Sequence, residues 1–316
     1  MKRVFLAMFV VLSALLVALP SLACSKTTSS GQTTIIPEGA NFVLDVKLDQ
    51  LTGDTDIADA YKAAAKDYPG TPATLDAAIG EITNDSGVNL RDFSRVLLFF
   101  NSGEPGQSGF GDSGAAIITG NFQQDKFVTD IGKSMNETLT PTDYNGFTIY
   151  TSEGQEDGLS FLGDQQAVIG TMQTVKDVID VKRGDKPALN SQMAETYSNL
   201  GDSLIRLVIS LPPDLMERAQ KGLPPELPSS IADLLDINVL GVGIVKEGNS
   251  FIIQFKLLYP SDSAAASASN AFKALKLVAP GLSENVWQEP ADPGSIAVLI
   301  PFLDKASAST KGSFLN

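Results

Sequence analysis

One glycine-rich segment contains the residue types of several catalytic loops. Residues 103–114 read Gly-Glu-Pro-Gly-Gln-Ser-Gly-Phe-Gly-Asp-Ser-Gly, and the last six fit the spacing of a dinucleotide-binding loop. Such a loop must precede a helix, because the helix N-terminus faces the pyrophosphate. The following residues, 115–118, are Ala-Ala-Ile-Ile, which predicts a strand. We interpret the segment as a hairpin loop between strands 96–100 and 115–122, and Phe110 at its tip is a candidate partner contact.

The sequence contains no complete set of residues for nucleophilic catalysis. It has no histidine, so Ser113 in Gly-Asp-Ser-Gly cannot belong to a Ser–His–Asp triad. No serine stands three residues before a lysine, which excludes the Ser-x-x-Lys pattern. Cys24 is the only cysteine, which excludes internal disulfides and multi-cysteine metal sites. We therefore predict a protein that is not an enzyme and has no catalytic residue, cofactor or metal.

Paired carboxylates are the catalytic arrangement that the composition leaves open. The chain has 37 acidic residues, with close groups at 54/56/59, 153/156/157 and 289/292. A histidine-free hydrolase would need two such groups facing each other across a cleft. The first group does not fit a calcium loop, which requires glycine at its sixth position and glutamate at its twelfth, where this chain has Asp59 and Ala65. We expect Asp54 and Asp56 to cap the start of a helix instead.

The first 24 residues have the pattern of an export signal. Lys2 and Arg3 precede an apolar stretch, 4–19, that only Ser13 interrupts, and the sequence continues Pro-Ser-Leu-Ala-Cys. A short basic region, an apolar region and a small residue before the cleavage point are typical of a secretory signal peptide.

At this junction the chain resembles bacterial lipoproteins, whose signal ends in Leu-(small)-(small)-Cys. Ala23 and Cys24 match that pattern, whereas Ser21 and Leu22 depart from it because the aliphatic residue stands one place later. The resemblance implies cleavage after Ala23, attachment of lipid to the Cys24 sulfur with palmitate-type acyl chains, and an extracytoplasmic location on a bacterial membrane. Two alternatives stay open: an uncleaved membrane anchor, or cleavage after Ala23 that leaves a free thiol.

The charge of the chain limits its partners. Loss of residues 1–23 removes Lys2 and Arg3 and leaves 21 basic and 37 acidic residues, a net charge of −16. This excess of acid argues against nucleic acid as a partner and against electrostatic docking on anionic lipid. We therefore expect the membrane to be contacted through the N-terminal lipid.

The rest of the chain alternates between strand-like and helix-like patterns, which predicts an α+β fold with an antiparallel sheet covered by helices. Both halves follow the order strand–helix–strand–strand–helix–strand, which is compatible with two ferredoxin-like βαββαβ units. Alternation predicts that residues 205, 207, 209 and 211 share one face of a strand, and that residues 251, 253, 255 and 257 share one face of another. We divide the chain into a signal peptide (1–23), a polar tether (24–38), two α+β halves (39–201 and 202–304) and a polar tail (305–316).

Three functions remain for this body. The first is a non-catalytic binding or scaffold module, for which the single tryptophan, Trp287, is a second candidate partner contact. The second is a carrier of an apolar ligand such as a lipid, held in a cavity between sheet and helices. The third is a histidine-free carboxylate hydrolase.

Overall fold

A computed structural model describes residues 35–67, 71–86, 88–101, 113–154, 156–221, 229–248, 250–285 and 307–316. Its strands are β1 (Phe42–Val46), β2 (Phe93–Phe100), β3 (Gly114–Gly120), β4 (Thr140–Tyr144), β5 (Phe147–Thr151), β6 (Asp157–Gly163), β7 (Gln166–Thr171), β8 (Ile205–Ser210), β9 (Val239–Glu247), β10 (Ser250–Leu258), β11 (Thr310–Lys311) and β12 (Phe314–Leu315). They form one 12-stranded sheet in the order β11-β12-β10-β9-β8-β1-β2-β3-β7-β6-β5-β4. Neighbouring strands are antiparallel throughout, which confirms the predicted α+β class and antiparallel sheet.

The two halves of the chain meet at the centre of this sheet. β1 pairs with β8, and from this pair β2 and β3 extend to one side while β9 and β10 extend to the other. A ferredoxin-like unit requires a βαβ crossover split by an intervening strand. Here β1 pairs directly and antiparallel with β2, so neither half forms that unit, although both keep the predicted order of strand, helix and hairpin. The halves share one sheet.

The helices are α1 (Leu48–Thr52), α2 (Thr55–Ala64), α3 (Leu75–Ser86), α4 (Gln124–Met135), α5 (Met172–Arg183), α6 (Ser191–Asn199), α7 (Pro213–Lys221) and α8 (Asp262–Asn285). Asp54 caps α2 as predicted, since its side chain accepts hydrogen bonds from the backbone N–H groups of Asp56 and Ile57. The apolar spacing of Phe127, Val128, Ile131, Met135 and Leu139 predicts a helix over 124–139. In the structure α4 ends at Met135, because Asn136 adopts a left-handed conformation with φ 55° and begins the turn into β4.

Helices cover both sides of the sheet, and we name the sides after the helices on them. On the α4 face, Phe127 and Ile131 of α4 pack in a buried cluster with side chains of α1, α2 and α3 and with Phe93 of β2. Phe127 makes edge-on contact with Phe93 and stacks on Phe122, so aromatic packing fixes α4 over this part of the sheet.

The opposite side, the α6 face, is covered by α5 and α6. Val178 and Ile179 of α5 and Met193 of α6 are completely buried against it. α6 approaches β9 closely because two alternate β9 residues are glycines. A Cβ atom on Gly241 would lie 2.7 Å from Thr196 Cγ2, and one on Gly243 would lie 2.7 Å from Ser203 Oγ.

Both ends of the folded body differ from the predicted boundaries. Ile36 is 0% exposed and Pro37 forms a β-bridge with Ala188, so the predicted tether (24–38) gives way to packed structure by residue 35. In the predicted polar tail (305–316), β12 pairs with β10, and Phe314 and Leu315 are buried. Apolar side chains at the very end of the chain therefore complete the sheet. The strand predicted over 296–303 lies outside the described residues.

Candidate functional site

Four residues were proposed from the sequence as processing, lipidation or partner-contact sites: Ala23, Cys24, Phe110 and Trp287. All four lie outside the residues that the structure describes. β2 and β3 pair as predicted, with Phe100 opposite Gly114, so the glycine-rich segment joins two neighbouring strands. A strand therefore follows Gly114 where a dinucleotide site would need a helix.

The central strands carry an apolar surface on the α4 face. Because residues paired across antiparallel strands point to the same side, the register aligns them in rows across β2, β1, β8, β9 and β10. The Phe42 row consists of Phe100, Phe42, Ile209, Leu240 and Leu257, and the Leu44 row consists of Leu98, Leu44, Leu207, Val242 and Phe255. The Val46 row consists of Val96, Val46, Ile205, Ile244 and Ile253. All fifteen side chains are apolar, as predicted for β8 and β10.

Burial decreases from the Val46 row to the Phe42 row. In the Val46 row only Ile253 is incompletely buried, whereas in the Leu44 row only Leu44 is buried and Phe255 is 47% exposed. Every member of the Phe42 row is partly exposed. A large exposed aromatic residue within a continuous apolar surface is typical of a binding site. We call the Phe42 and Leu44 rows together the apolar rows.

Packed elements border the apolar rows. The buried Val46 row lies on one side, beside the cluster that includes α1, α2 and α3. At β10, Leu257 packs against a small cluster in which Ala265 and Ala268 of α8 contact Tyr259 and Leu315. On β2, the Phe100 ring stacks on Phe42 with centroids 4.2 Å apart. The rows therefore form a continuous, partly exposed apolar surface with packed side chains beside it.

A buried ionic cluster lies directly behind the apolar rows, on the α6 face. Asp45 of β1 is 1% exposed, and it accepts hydrogen bonds from Arg95 Nη2 at 2.7 Å and from the Tyr197 hydroxyl at 2.6 Å. Arg206 donates to the Tyr197 hydroxyl at 2.7 Å and lies 3.3 Å from the Asp45 carboxylate. The Arg206 guanidinium also stacks over the Tyr197 ring. The cluster joins β1, β2, β8 and α6.

The protonation states within the cluster follow from its geometry. Burial and the neighbouring Asp45 carboxylate raise the pKa of Tyr197, so its hydroxyl stays protonated and remains a donor. Burial would lower the pKa of Arg95, but hydrogen bonds and attraction from Asp45 outweigh it and raise that pKa. Because the carboxylate is surrounded by cations and hydroxyl donors, the arrangement is suited to fixing strands in place.

A polar depression of about 530 Å³ opens where β8 and β9 meet α1 and α2. It is lined by Asp49, Gln50, Gly53, Asp54, Asp202, Leu204, Lys246 and Gly248. Lys246 forms ion pairs with Asp54 and, at 2.8 Å, with Asp56, while Lys47 pairs with Asp202. Asp54 and Asp56, which were predicted to cap α2, therefore also form ion pairs with Lys246 of β9. The wall of this depression thus contains paired charges.

These ion pairs shift the titration of their members. The hydrogen bond from Lys47 lowers the pKa of Asp202. Burial would raise the pKa of Asp54, but the hydrogen bond and charge of Lys246 and the capped backbone N–H groups lower it. Hydrogen bonds to Asp54 and Asp56 raise the pKa of Lys246. The lowered pKa values of Asp54 and Asp202 and the raised pKa of Lys246 keep these three groups charged at neutral pH, which suits ion pairing.

Among the described residues, Asp180 of α5 is a second buried carboxylate, and it too has hydrogen-bond and ion-pair partners. It accepts hydrogen bonds from the Tyr144 hydroxyl and the Asn145 amide, both at 3.1 Å, and lies 3.3 Å from Lys186 Nζ. In the described part of the chain, no group of three or more His, Cys, Asp or Glu side chains is arranged to hold a metal ion.

The ionic cluster of Asp45, Arg95, Tyr197 and Arg206 was not predicted from the sequence. Two signals were present: Asp45 interrupts an apolar strand, and Arg206 interrupts another. A charge inside such a strand indicates a buried ion pair, because an isolated charge would be too costly to bury. The third strand residue, Arg95, stands at the start of an apolar run, and the helix that supplies Tyr197 was not predicted.

Comparison with known proteins shows a distant likeness only. No protein-family model and no curated protein sequence matches the chain. Crystal form III of TP0453 is similar over 91% of this chain and 92% of the TP0453 chain, with a TM-score of 0.44 and 12% identity. Crystal form IV of TP0453 is similar over 91% and 90% of the two chains, with a TM-score of 0.43 and 14% identity. Across the described residues, no helix is both long and apolar enough to cross a bilayer.

Proposed function

We propose that the protein is a lipid-anchored, extracytoplasmic binding module without catalytic activity, and that the apolar rows are its binding surface. The observation that carries this proposal is the exposure of Phe255 and its neighbours on a sheet whose other side is covered by α5 and α6. Apolar surface left open in this way gains free energy when a partner covers it, by about 25 cal/mol per Å² of area removed from water.

The anchor comes from the N-terminal sequence. The export-type leader ends at Cys24, and ten residues separate this cysteine from Ile35, the first described residue. Acyl chains on Cys24 would hold the body on a membrane without a spanning helix. The net charge of −16 after cleavage leaves that lipid, rather than basic side chains, to supply the attachment.

The carboxylates of the described residues support a binding role over hydrolysis. Asp54 and Asp56 are paired with Lys246, and Asp45 is enclosed by Arg95 and Arg206. A general acid would instead need a protonated carboxyl in an apolar setting beside an accessible cleft. Among the three functions considered from sequence, the carrier of an apolar ligand is the second candidate, and the apolar rows favour it.

The anchor is tested by expressing the full chain with its leader in bacteria fed a palmitate analogue that carries a clickable alkyne. We expect the wild type to take up label, sediment with membranes and be digested by protease added to spheroplasts. The Cys24→Ser variant is expected to take up none. An unlabelled wild type, or one found in the cytosol, would overturn the proposal.

A further inference from the structure

We infer that the apolar rows bind an acyl chain of a bilayer phospholipid. This inference rests on the proposed anchoring at Cys24, since the anchor keeps the sheet beside a membrane. It assigns a ligand class to the binding surface, whereas the proposed function assigns only the surface.

The dimensions of the apolar rows match one acyl chain. Each row crosses five strands, and at about 4.8 Å between strands its outer members lie about 19 Å apart. The two rows are two residues apart along each strand, a separation of about 7 Å. The acyl chains of one leaflet span about 15 Å, half of a 30 Å hydrocarbon core. The surface formed by the two rows is therefore long enough for a single acyl chain to lie against it, along the direction that crosses the strands.

The chemistry of the rows also favours an acyl chain. All ten side chains are apolar, so the surface presents only hydrocarbon along its whole length. The backbones of β1, β2, β8 and β9 are paired with neighbouring strands on both sides, so on these strands the rows offer no donor or acceptor for a peptide main chain. An acyl chain has no polar group along its length, so it can be buried here without leaving a hydrogen bond unmade.

The position of the rows places them near the proposed membrane anchor. Phe42 is the first residue of β1 and stands six residues after the buried Ile36. The eleven residue-to-residue steps from Cys24 to Ile35 can span at most about 40 Å. The rows are thus held close to the bilayer, where a tethered site meets its ligand at high effective concentration.

The test uses bacteria that express the full chain and incorporate a fatty acid carrying a diazirine and an alkyne into their phospholipids. After irradiation of whole cells, the protein is purified by its lipid label and digested, and the adducts are located by mass spectrometry. We expect adducts of phospholipid mass on peptides that contain β8, β9 and β10. The same spectra report whether the N-terminal peptide carries acyl chains on Cys24.

Two neighbouring β10 residues provide a matched pair of variants. The Phe255→Asp variant places a carboxylate in the Leu44 row at a position that is 47% exposed, so the fold tolerates it. We expect it to reduce the phospholipid adduct about tenfold or more, because a carboxylate is excluded from hydrocarbon. The Gln254→Asp variant adds the same charge on the other side of the strand, and its adduct should stay within about twofold of the wild type. Leu240→Asp provides a second test in the Phe42 row.

The outcomes separate the two proposals. An acylated Cys24 without phospholipid adducts on β8–β10 overturns the lipid site and leaves the anchor standing. Phospholipid adducts on these strands in a chain whose Cys24 is unmodified overturn the anchor and leave the site. Cross-links from the Cys24 acyl chains to the rows, or peptide-to-peptide links that show a second copy or another protein there, overturn the phospholipid assignment.

Discussion

The two sides of the central sheet differ although the same five strands form both. On the α6 face, Val43, Phe99 and Val208 are buried and Asp45 is enclosed by arginines, so each side chain has a fixed set of neighbours. One residue away along each strand, the apolar rows point to the α4 face and stay partly open. The α6 face is therefore closed along these strands, whereas the α4 face is closed at the Val46 row and partly open at the apolar rows, where we propose that a partner binds; alternation along a strand makes this separation possible.

The largest expected effect concerns the ionic cluster. The Asp45→Ala substitution leaves Arg95 and Arg206 without their carboxylate, and we expect the free energy of unfolding to fall by about 3–5 kcal/mol. Urea denaturation of the purified protein measures this loss. The Arg206→Met variant and the Asp45→Ala/Arg206→Met double variant complete a double-mutant cycle, in which we expect the losses to be non-additive. A loss below about 1 kcal/mol for Asp45→Ala would contradict the structural role of the α6 face.

Two adjacent isoleucines compare the faces directly. Ile252 is 1% exposed on the α6 face, and Ile253 is partly exposed on the α4 face. We expect Ile252→Ala to lower the free energy of unfolding by about 2–5 kcal/mol, because it leaves a cavity. Ile253→Ala should cost less than half as much, since solvent already reaches part of its side chain. The same denaturation experiment serves for both variants, and equal losses would show that the two faces are equally packed.

Substitution of Phe255 tests directly how the apolar rows on the α4 face contribute to stability and to the binding of an apolar dye. We expect Phe255→Ser to change the free energy of unfolding by no more than about 0.5 kcal/mol, as for other exposed positions. The same variant should reduce the fluorescence of the dye ANS, which binds exposed apolar surface. The Leu215→Ser variant is a control, because Leu215 of α7 is 44% exposed but lies outside the apolar rows. An equal reduction in that variant would mean that the rows do not hold the dye.

The smallest effect is a dependence on pH at the polar depression. Because Lys47 lowers the pKa of Asp202 below 3.8, the folded state gains stability above the unfolded pKa and loses it as the pH falls through the lower folded pKa. We expect Asp202→Asn to remove this contribution, so that its stability falls less steeply below about pH 4 than that of the wild type. At neutral pH the difference should stay under about 1 kcal/mol, since the Asp202 side chain is 59% exposed. Thermal unfolding between pH 2 and pH 7 measures it, and parallel pH profiles would show that this ion pair contributes nothing.

Local patterns predicted much of this fold, whereas long-range pairing lay beyond them. The alternation over 205–209 and 251–257 correctly placed those side chains on one side, because a strand's period is a local property. The Asn145-Gly146 dipeptide likewise predicts a tight hairpin turn, and both residues have positive φ in the turn between β4 and β5. In contrast, the pairing of β1 with β8 joins residues about 160 positions apart, and no local pattern in either strand indicates its partner.

The candidate site, like the fold, could be predicted from the sequence in its local features but not in its long-range contacts. The apolar character of each strand in the rows is visible in the sequence, but their exposure depends on which helices pack where. The α6 helix was not predicted, and with it the hydroxyl of Tyr197 that completes the ionic cluster. The Asp45 and Arg206 interruptions indicate buried charges, yet only the sheet order shows that they lie opposite each other.

The two margins of the sheet have a consequence for self-association. At one margin β4 reads Thr-Pro-Thr-Asp-Tyr, and its proline has no N–H to offer a further strand. At the other margin β11 and β12 are two residues each and are joined by a turn at Gly312. Short or proline-bearing margins resist the edge-to-edge stacking that leads to fibrils. We therefore expect the β4 margin and the β11–β12 margin to resist the addition of a strand from another copy.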